Sequence, residues 1–136
     1  MSYWRSKTYP TNKKRKGTIF FLCPFSTKLT SFTLSINQLR RKGYDVIGYD
    51  YSRDVLEKGD PTIVPEFVAD MRKEIEKQIK NIGEEQEFGL FGSSMGAFIS
   101  YCILDIPEID WVIMNTGGNL ARGAWALPLT KAAFQA

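Results

Sequence analysis

Four short apolar runs divide the chain, and longer segments of helical periodicity separate them. The runs cover residues 18–23, 44–50, 88–91 and 111–115. Each is rich in β-branched and aromatic residues, which is typical of strands that are covered on both faces of a parallel sheet. The pattern therefore predicts four buried strands.

The segments between these runs predict helices. The first apolar stripe precedes Gly43, which is placed as a left-handed cap, and the second follows Pro65 and stops before Gly83. The two stripes recur at helical spacing and consist of Leu29, Phe32, Ile36 and Leu39, and of Val68, Met71, Ile75, Ile79 and Ile82. A third segment, residues 97–104, is nearly all apolar and predicts a centrally buried helix.

Strands that alternate with helices of crossover length predict an α/β fold. We expect a three-layer domain with a parallel sheet of about four strands and helices on both faces, spanning residues 17–116. The main aromatic residues of these segments are expected in its core; they are Phe20, Phe21, Phe91, Phe98 and Trp111.

The two ends of the chain differ from this domain. Residues 1–16 hold six Lys or Arg and no acid, whereas the remainder carries 12 basic and 15 acidic groups. A local charge block of this kind is typical of a solvated, flexible basic arm, so no nucleic-acid or membrane partner is expected. The alternative is that the segment holds the remains of an edge hairpin. Residues 117–136 predict a helical segment interrupted at Pro128, or the start of a cap or lid, and the chain reads as truncated at Ala136.

Composition narrows the class of protein. With 136 residues, 43% hydrophobic and 24% charged, the chain has the profile of one globular domain. It shows no apolar leader and no membrane span, which favours the cytoplasm, and Cys23 and Cys102 are expected as reduced thiols. Residues 24–28 lack the glycines of a dinucleotide-binding loop, and no metal-ligand spacing occurs, so no cofactor or metal is expected.

The third predicted strand ends in Gly92-Ser93-Ser94-Met95-Gly96. A serine between a strand and a helix in this pattern is held in a strained turn that presents its hydroxyl, and the flanking glycines relieve the crowding. The spacing predicts that Ser94 is a nucleophile. The alternative is a structural turn in which Ser94 only caps the following helix.

Here the chain resembles the α/β-hydrolase superfamily, over roughly residues 17–120. The likeness rests on the serine turn, on the strand before it, and on the upstream strand and loop of residues 20–26. It implies that Ser94 attacks the carbonyl of a small ester, thioester or amide substrate. It also implies that the backbone N–H groups of Met95 and Phe25, with Ser26 as second choice, bind the oxyanion.

The departure from that family is the missing base, because the chain contains no histidine. Asp105, Glu108 and Asp110 precede the fourth strand and lie at its wrong end to serve as the catalytic acid. We therefore expect these residues alone to be inactive and to represent the N-terminal half of a serine hydrolase. The alternative is a non-catalytic binding or interaction module, and an exposed sheet edge would favour self-association in either case.

Overall fold

The computed structural model describes residues 4–24, 27–51, 63–83, 86–115 and 127–130. Its strands form one six-stranded sheet in the order β1-β3-β2-β4-β5-β6. The strands are β1 (Trp4–Tyr9), β2 (Gly17–Leu22), β3 (Tyr44–Tyr51), β4 (Glu87–Ser93), β5 (Trp111–Asn115) and β6 (Leu127–Thr130). The helices are α1 (Thr33–Arg41), preceded by a 3-10 turn at Leu29–Phe32, α2 (Ile63–Ile82) and α3 (Met95–Cys102).

The four predicted strands are the four parallel ones. β2 lies between β3 and β4, and β5 pairs with β4. All six residues of β2 are buried, as expected for a central strand with both faces covered. The α/β fold class and the parallel core of the sheet are confirmed.

Helices cover both faces of this sheet. Leu29 packs over Gly48 of β3, and the rings of Phe32 and Phe21 lie 5.3 Å apart. On the other face, the Tyr49 hydroxyl donates to Glu74 of α2 at 2.9 Å. Because successive residues of a strand face opposite sides, α1 and α2 lie on opposite faces. The carbonyl of Cys102 accepts a bond from Arg72 of α2, which places α3 beside α2.

Residues 4–9 form an edge strand, which agrees with the alternative of an edge hairpin and not with a loose arm. Trp4–Tyr9 pairs antiparallel with β3 along its full length. Its four central side chains are exposed and only its end residues are half-buried, so it lacks the apolar alternation by which strands are recognised. The backbone ladder holds it in place, and Pro10 continues the attachment by accepting a hydrogen bond from Arg40 of α1 at 2.7 Å.

The last strand and the third helix bring two further corrections. Leu127–Thr130 pairs antiparallel with β5, whereas the sequence predicted helix; Pro128 is tolerated because edge strands can lack a donor. In α3, the side chains of Phe98 and Tyr101 are 44% and 56% exposed, so the helix is not buried all round and Phe98 is not a core residue. Its buried face is made by small and β-branched residues, Gly96, Ala97, Ile99 and Ser100.

The boundaries at residues 16 and 117 stay a prediction, although β1 and β6 belong to the same sheet as the core strands, and most of residues 117–136 lie outside the described ranges. None of the described helices combines the length and apolarity needed to cross a membrane.

Candidate active site

Ser94 occupies the turn that joins the end of β4 to the start of α3. Its backbone has φ 55° and ψ −115°, and no other non-glycine residue of the described ranges has a positive φ. A side chain in this conformation costs about 1–3 kcal/mol and persists only where its surroundings enforce it. Ser94 is also exposed, between the buried residues Ser93 and Gly96. The strain and the exposure together single out this residue.

Two glycines make the turn possible. A Cβ at Gly92 would lie within 3.0 Å of the Gly96 carbonyl and of the Ser100 hydroxyl. A Cβ at Gly96 would lie within 3.0 Å of the carbonyl of Leu22, at the end of β2. Real Cβ atoms do not approach backbone so closely, so both positions exclude a side chain. The prediction that Gly92 and Gly96 relieve crowding around the serine agrees with this geometry.

Backbone hydrogen bonds fix the turn from both sides. The Ser94 N–H donates to the Asn115 carbonyl of β5 at 2.7 Å, and the Ser94 carbonyl accepts from Ala97 and Phe98 at 2.9 and 3.2 Å. The Ser94 side chain makes no capping bond to the helix. Ser94 therefore stands at the N-cap position and contributes there through its backbone, whereas its hydroxyl takes no part in capping. The Asn115 contact has no signal in the sequence, because it uses a main-chain oxygen.

The predicted oxyanion donors are only partly described. Met95 is the first residue of α3, and its N–H finds no acceptor in the described part of the chain. An N–H at a helix start is suited to bind an anion. Phe25 and Ser26 lie outside the described residues. The loop that carries them begins next to the serine turn, because Gly96 packs on the carbonyls of Leu22 and Cys23.

Cys23 lies beside the turn but is not suited to be a nucleophile. Its side chain is fully buried. Burial, with the charge of Asp50 as a smaller cause, raises the pKa of the Cys23 thiol to about 12, so it stays protonated at neutral pH. The thiolate is the reactive form, and both cysteines are free thiols, as predicted.

Two of the acidic residues between α3 and β5 have partners away from the serine turn. The Asp110 carboxylate accepts the Phe88 N–H at 2.9 Å near the start of β4, and Ser94 follows the end of that strand, about 20 Å away at the rise of an extended chain. Asp105 pairs with Arg72 at 2.7 Å, beyond the far end of α3. Glu108 lies in the same connection between α3 and β5, and the absence of a catalytic role for these three acids stays a prediction. Across the described residues, no cluster of potential metal ligands occurs.

Solved structures with a similar fold include proteins named as esterases and lipases. A carboxyl esterase from Bacillus coagulans, solved with glycerol, superposes with a TM-score of 0.61 at 17% identity, over 82% of this chain and 39% of that one. The chain adopts part of the α/β-hydrolase fold. A soluble variant of monoglyceride lipase from Saccharomyces cerevisiae shares the fold at TM-score 0.65 and 16% identity, over 82% and 40% of the two chains.

MenH from S. aureus has the same hydrolase fold at TM-score 0.60 and 19% identity, over 85% of this chain and 42% of that one. The chain thus spans about two fifths of the length of the hydrolase-fold structures it matches. No protein-family model and no curated protein sequence matches it. At these identities the likeness concerns the fold, and the chemistry must be argued from the residues.

Proposed function

We propose that this chain is the nucleophile-bearing part of a serine hydrolase, with Ser94 as the nucleophile. The observation that carries the proposal is the backbone of Ser94, an exposed serine held at φ 55° directly before a helix. Such strain is costly and is concentrated at functional sites. The esterases and lipases among the structural neighbours favour an ester or acyl substrate of small size.

The proposed chemistry is attack of the Ser94 hydroxyl on an ester, thioester or amide carbonyl. The oxyanion that forms would accept hydrogen bonds from the N–H groups of Met95 and Phe25, which is the usual means of stabilising such an intermediate. The serine proton needs a base, and no histidine is present in these 136 residues. We therefore infer that an acid and a base from outside these residues complete the site, and that the chain alone has negligible turnover.

Labelling by a fluorophosphonate probe tests the proposal. Because positioning and oxyanion binding retain about a thousandfold acceleration when a triad is incomplete, we expect slow labelling confined to Ser94. Ser94→Ala should abolish it, and Ser93→Ala, the matched control one residue away, should retain it. Intact-mass spectrometry over hours follows the reaction, and peptide mapping locates the adduct.

Two results would contradict the proposal, each in a different part. Rapid stoichiometric labelling of Ser94 would show that a base is present, against the inference of an incomplete site. Labelling spread over several serines at equal rates would show that Ser94 is not activated by the turn.

Self-association through a sheet edge also stays a proposal, and the structure bears on which edge would serve. A symmetric antiparallel pair of β1 strands centred on Arg5, Ser6 or Lys7 brings like charges opposite one another, which is destabilising. The four residues of β6 are uncharged, so pairing through β6 does not bring like charges opposite one another. Size-exclusion chromatography of the chain with and without residues 127–136 would locate the contact. The cytoplasmic location likewise stays a prediction.

A further inference from the structure

A small basic cavity lies between strand β1 and the 3-10 turn, away from the serine turn. It has a volume of about 210 Å³, and its lining includes Arg5, Lys7, Lys28 and Asp50. Three inter-strand spacings separate β1 from β4, or roughly 14 Å along the sheet. The cavity is therefore distinct from the proposed catalytic site.

The one carboxylate in this cavity is already neutralised. Asp50 is 7% exposed, and its two oxygens accept from the Arg5 Nε at 3.1 Å and from the Leu29 N–H at 3.2 Å. The Arg5 guanidinium uses only its Nε in this contact, and its two terminal nitrogens donate to no other described residue. The buried carboxylate holds the arginine at the cavity and joins it to the start of the 3-10 turn.

The two lysines have no such partner. In the described part of the chain, neither Lys7 nor Lys28 forms an ion pair. The Lys7 ammonium lies 5.1 Å from the centre of the Tyr9 ring, a cation–π contact that positions the charge without neutralising it. Both side chains are exposed, and no described acid neutralises their charges.

The lining therefore carries three cations and one anion, a net charge of +2. A phosphate monoester carries about −1.5 to −2 at neutral pH and offers three acceptor oxygens. A planar guanidinium and ammonium groups are the donors that bind phosphate in proteins. The other described cations of the N-terminal segment lie elsewhere, because Arg15 pairs with Asp45 near the start of β3, so the charge of the cavity comes from its own lining.

We propose that the cavity between β1 and the 3-10 turn binds the phosphate group of a small molecule, through Arg5, Lys7 and Lys28. A polynucleotide is a poorer match, because these three cations converge on one small cavity, whereas a nucleic-acid backbone is bound by cations spread along a face. This site is independent of Ser94, and its occupation does not require that the chain hydrolyses anything.

Amide NMR titration of the full 136-residue chain tests the proposal, with inorganic phosphate as the probe and sodium chloride holding the ionic strength constant. We expect saturable shifts confined to the amides of residues 5–9 and 28–30. Lys7→Gln and Lys28→Gln should each weaken binding about tenfold, the effect of losing one charged hydrogen bond. Lys13→Gln, a control in the same basic segment that does not line the cavity, should bind normally.

Phenyl phosphate serves as the second probe and distinguishes a phosphate monoester from free phosphate as the ligand. Binding as tight as that of inorganic phosphate, or tighter, would support a phosphate monoester as ligand, and binding of inorganic phosphate alone would support the free ion. Shifts that rise linearly without saturation, or an equal loss in Lys13→Gln, would overturn the site, since both indicate general screening. Because Lys7 and Lys28 are exposed, their variants are expected to fold, and their amide spectra check this directly.

Discussion

The serine turn and the N-terminal strand are fixed by opposite means. At the turn, backbone atoms of β2, β4 and α3 crowd around Gly92 and Gly96, and the fold imposes a strained conformation on Ser94. Strand β1 has four exposed side chains in a row and is held by its backbone pairing with β3 and by its ends. The first kind of structure is intolerant of added atoms, and the second tolerates most changes except at its anchors.

The largest loss of stability is expected for an added methyl group at the serine turn. Gly96→Ala would place a Cβ within 3.0 Å of the backbone of β2, where no rotamer change relieves it. We expect a loss of about 3 kcal/mol or more in the free energy of unfolding, at the upper end of overpacking effects. Urea denaturation measures it.

Gly83→Ala is the matched control for this change. Gly83 has φ +97° with no atom within 4 Å of an added Cβ, so only the backbone conformation opposes the substitution. We expect a loss of about 1–2 kcal/mol. A loss at Gly96 no larger than the loss at Gly83 would contradict the tight contact between the turn and β2.

A smaller effect is expected at the anchor of the N-terminal strand. The Trp4 ring packs edge-on against Phe67 and Tyr49, with ring centres 5.8 and 6.4 Å apart. Trp4→Ala should lower the free energy of unfolding by about 2 kcal/mol, less than a fully buried aromatic because the ring is half-exposed. Leu34→Ala, at a residue 71% exposed, should change it by less than about 0.5 kcal/mol. An unchanged stability in Trp4→Ala would return residues 1–16 to the status of a loose arm.

Alkaline pH should weaken the core beside the turn. The pKa of the Cys23 thiol is raised from 9.0 to about 12, so the folded state retains a proton that the unfolded state releases. This contribution is complete below pH 9 and is lost as the pH rises from 9 to 12. Burial also raises the pKa of Tyr49 and Tyr51, so both residues likewise lower the stability of the fold at alkaline pH.

Urea denaturation at several pH values across this window measures the decline. Cys23→Ala should make the decline shallower, whereas Cys102→Ala, at a half-buried thiol, should change it less. A free energy of unfolding that stays constant between pH 8 and about 11 would contradict the burial of these groups.

The smallest effect is expected for the ion pair that ties β1 to β3. The Arg5 side chain is 66% exposed although the Asp50 side chain is only 10% exposed, so solvent screens much of the attraction. Arg5→Gln should cost less than about 1 kcal/mol and should become neutral at high salt. Chemical denaturation of the wild-type and Arg5→Gln proteins at low and at high ionic strength measures the difference in their free energy of unfolding. A salt-independent loss would show that Arg5 contributes by packing and not by charge.

The sequence predicted the elements whose side chains are buried and missed those that backbone pairing forms. β2 and the apolar stripe of α2 carry their burial in the residue pattern, and Gly43 marks the end of α1 by its positive φ. β1 and β6 are edge strands, so their pairing leaves little trace in hydrophobicity. Phe98 was assigned to the core because composition does not say which side of a short helix meets the sheet.

In the candidate site, too, the sequence indicated some features and missed others. The spacing of two glycines around Ser94 indicated the turn because steric exclusion acts on residue type. The bond from Ser94 to the carbonyl of Asn115 leaves no such mark, since any residue supplies a carbonyl. The basic cavity was also beyond the sequence, because Lys28 joins Arg5 and Lys7 only through the pairing of β1 with β3.

The most direct test of the account asks whether this chain alone builds the strained serine turn. Glycine tolerates φ 55° and ψ −115°, whereas alanine does not, so Ser94→Gly should be more stable than Ser94→Ala by about 1 kcal/mol in urea denaturation. At Ser93, within β4, the order should reverse, because glycine weakens a strand. Glycine less stable than alanine at both positions would show that Ser94 is unstrained, and would remove the observation on which its proposed role as a nucleophile rests.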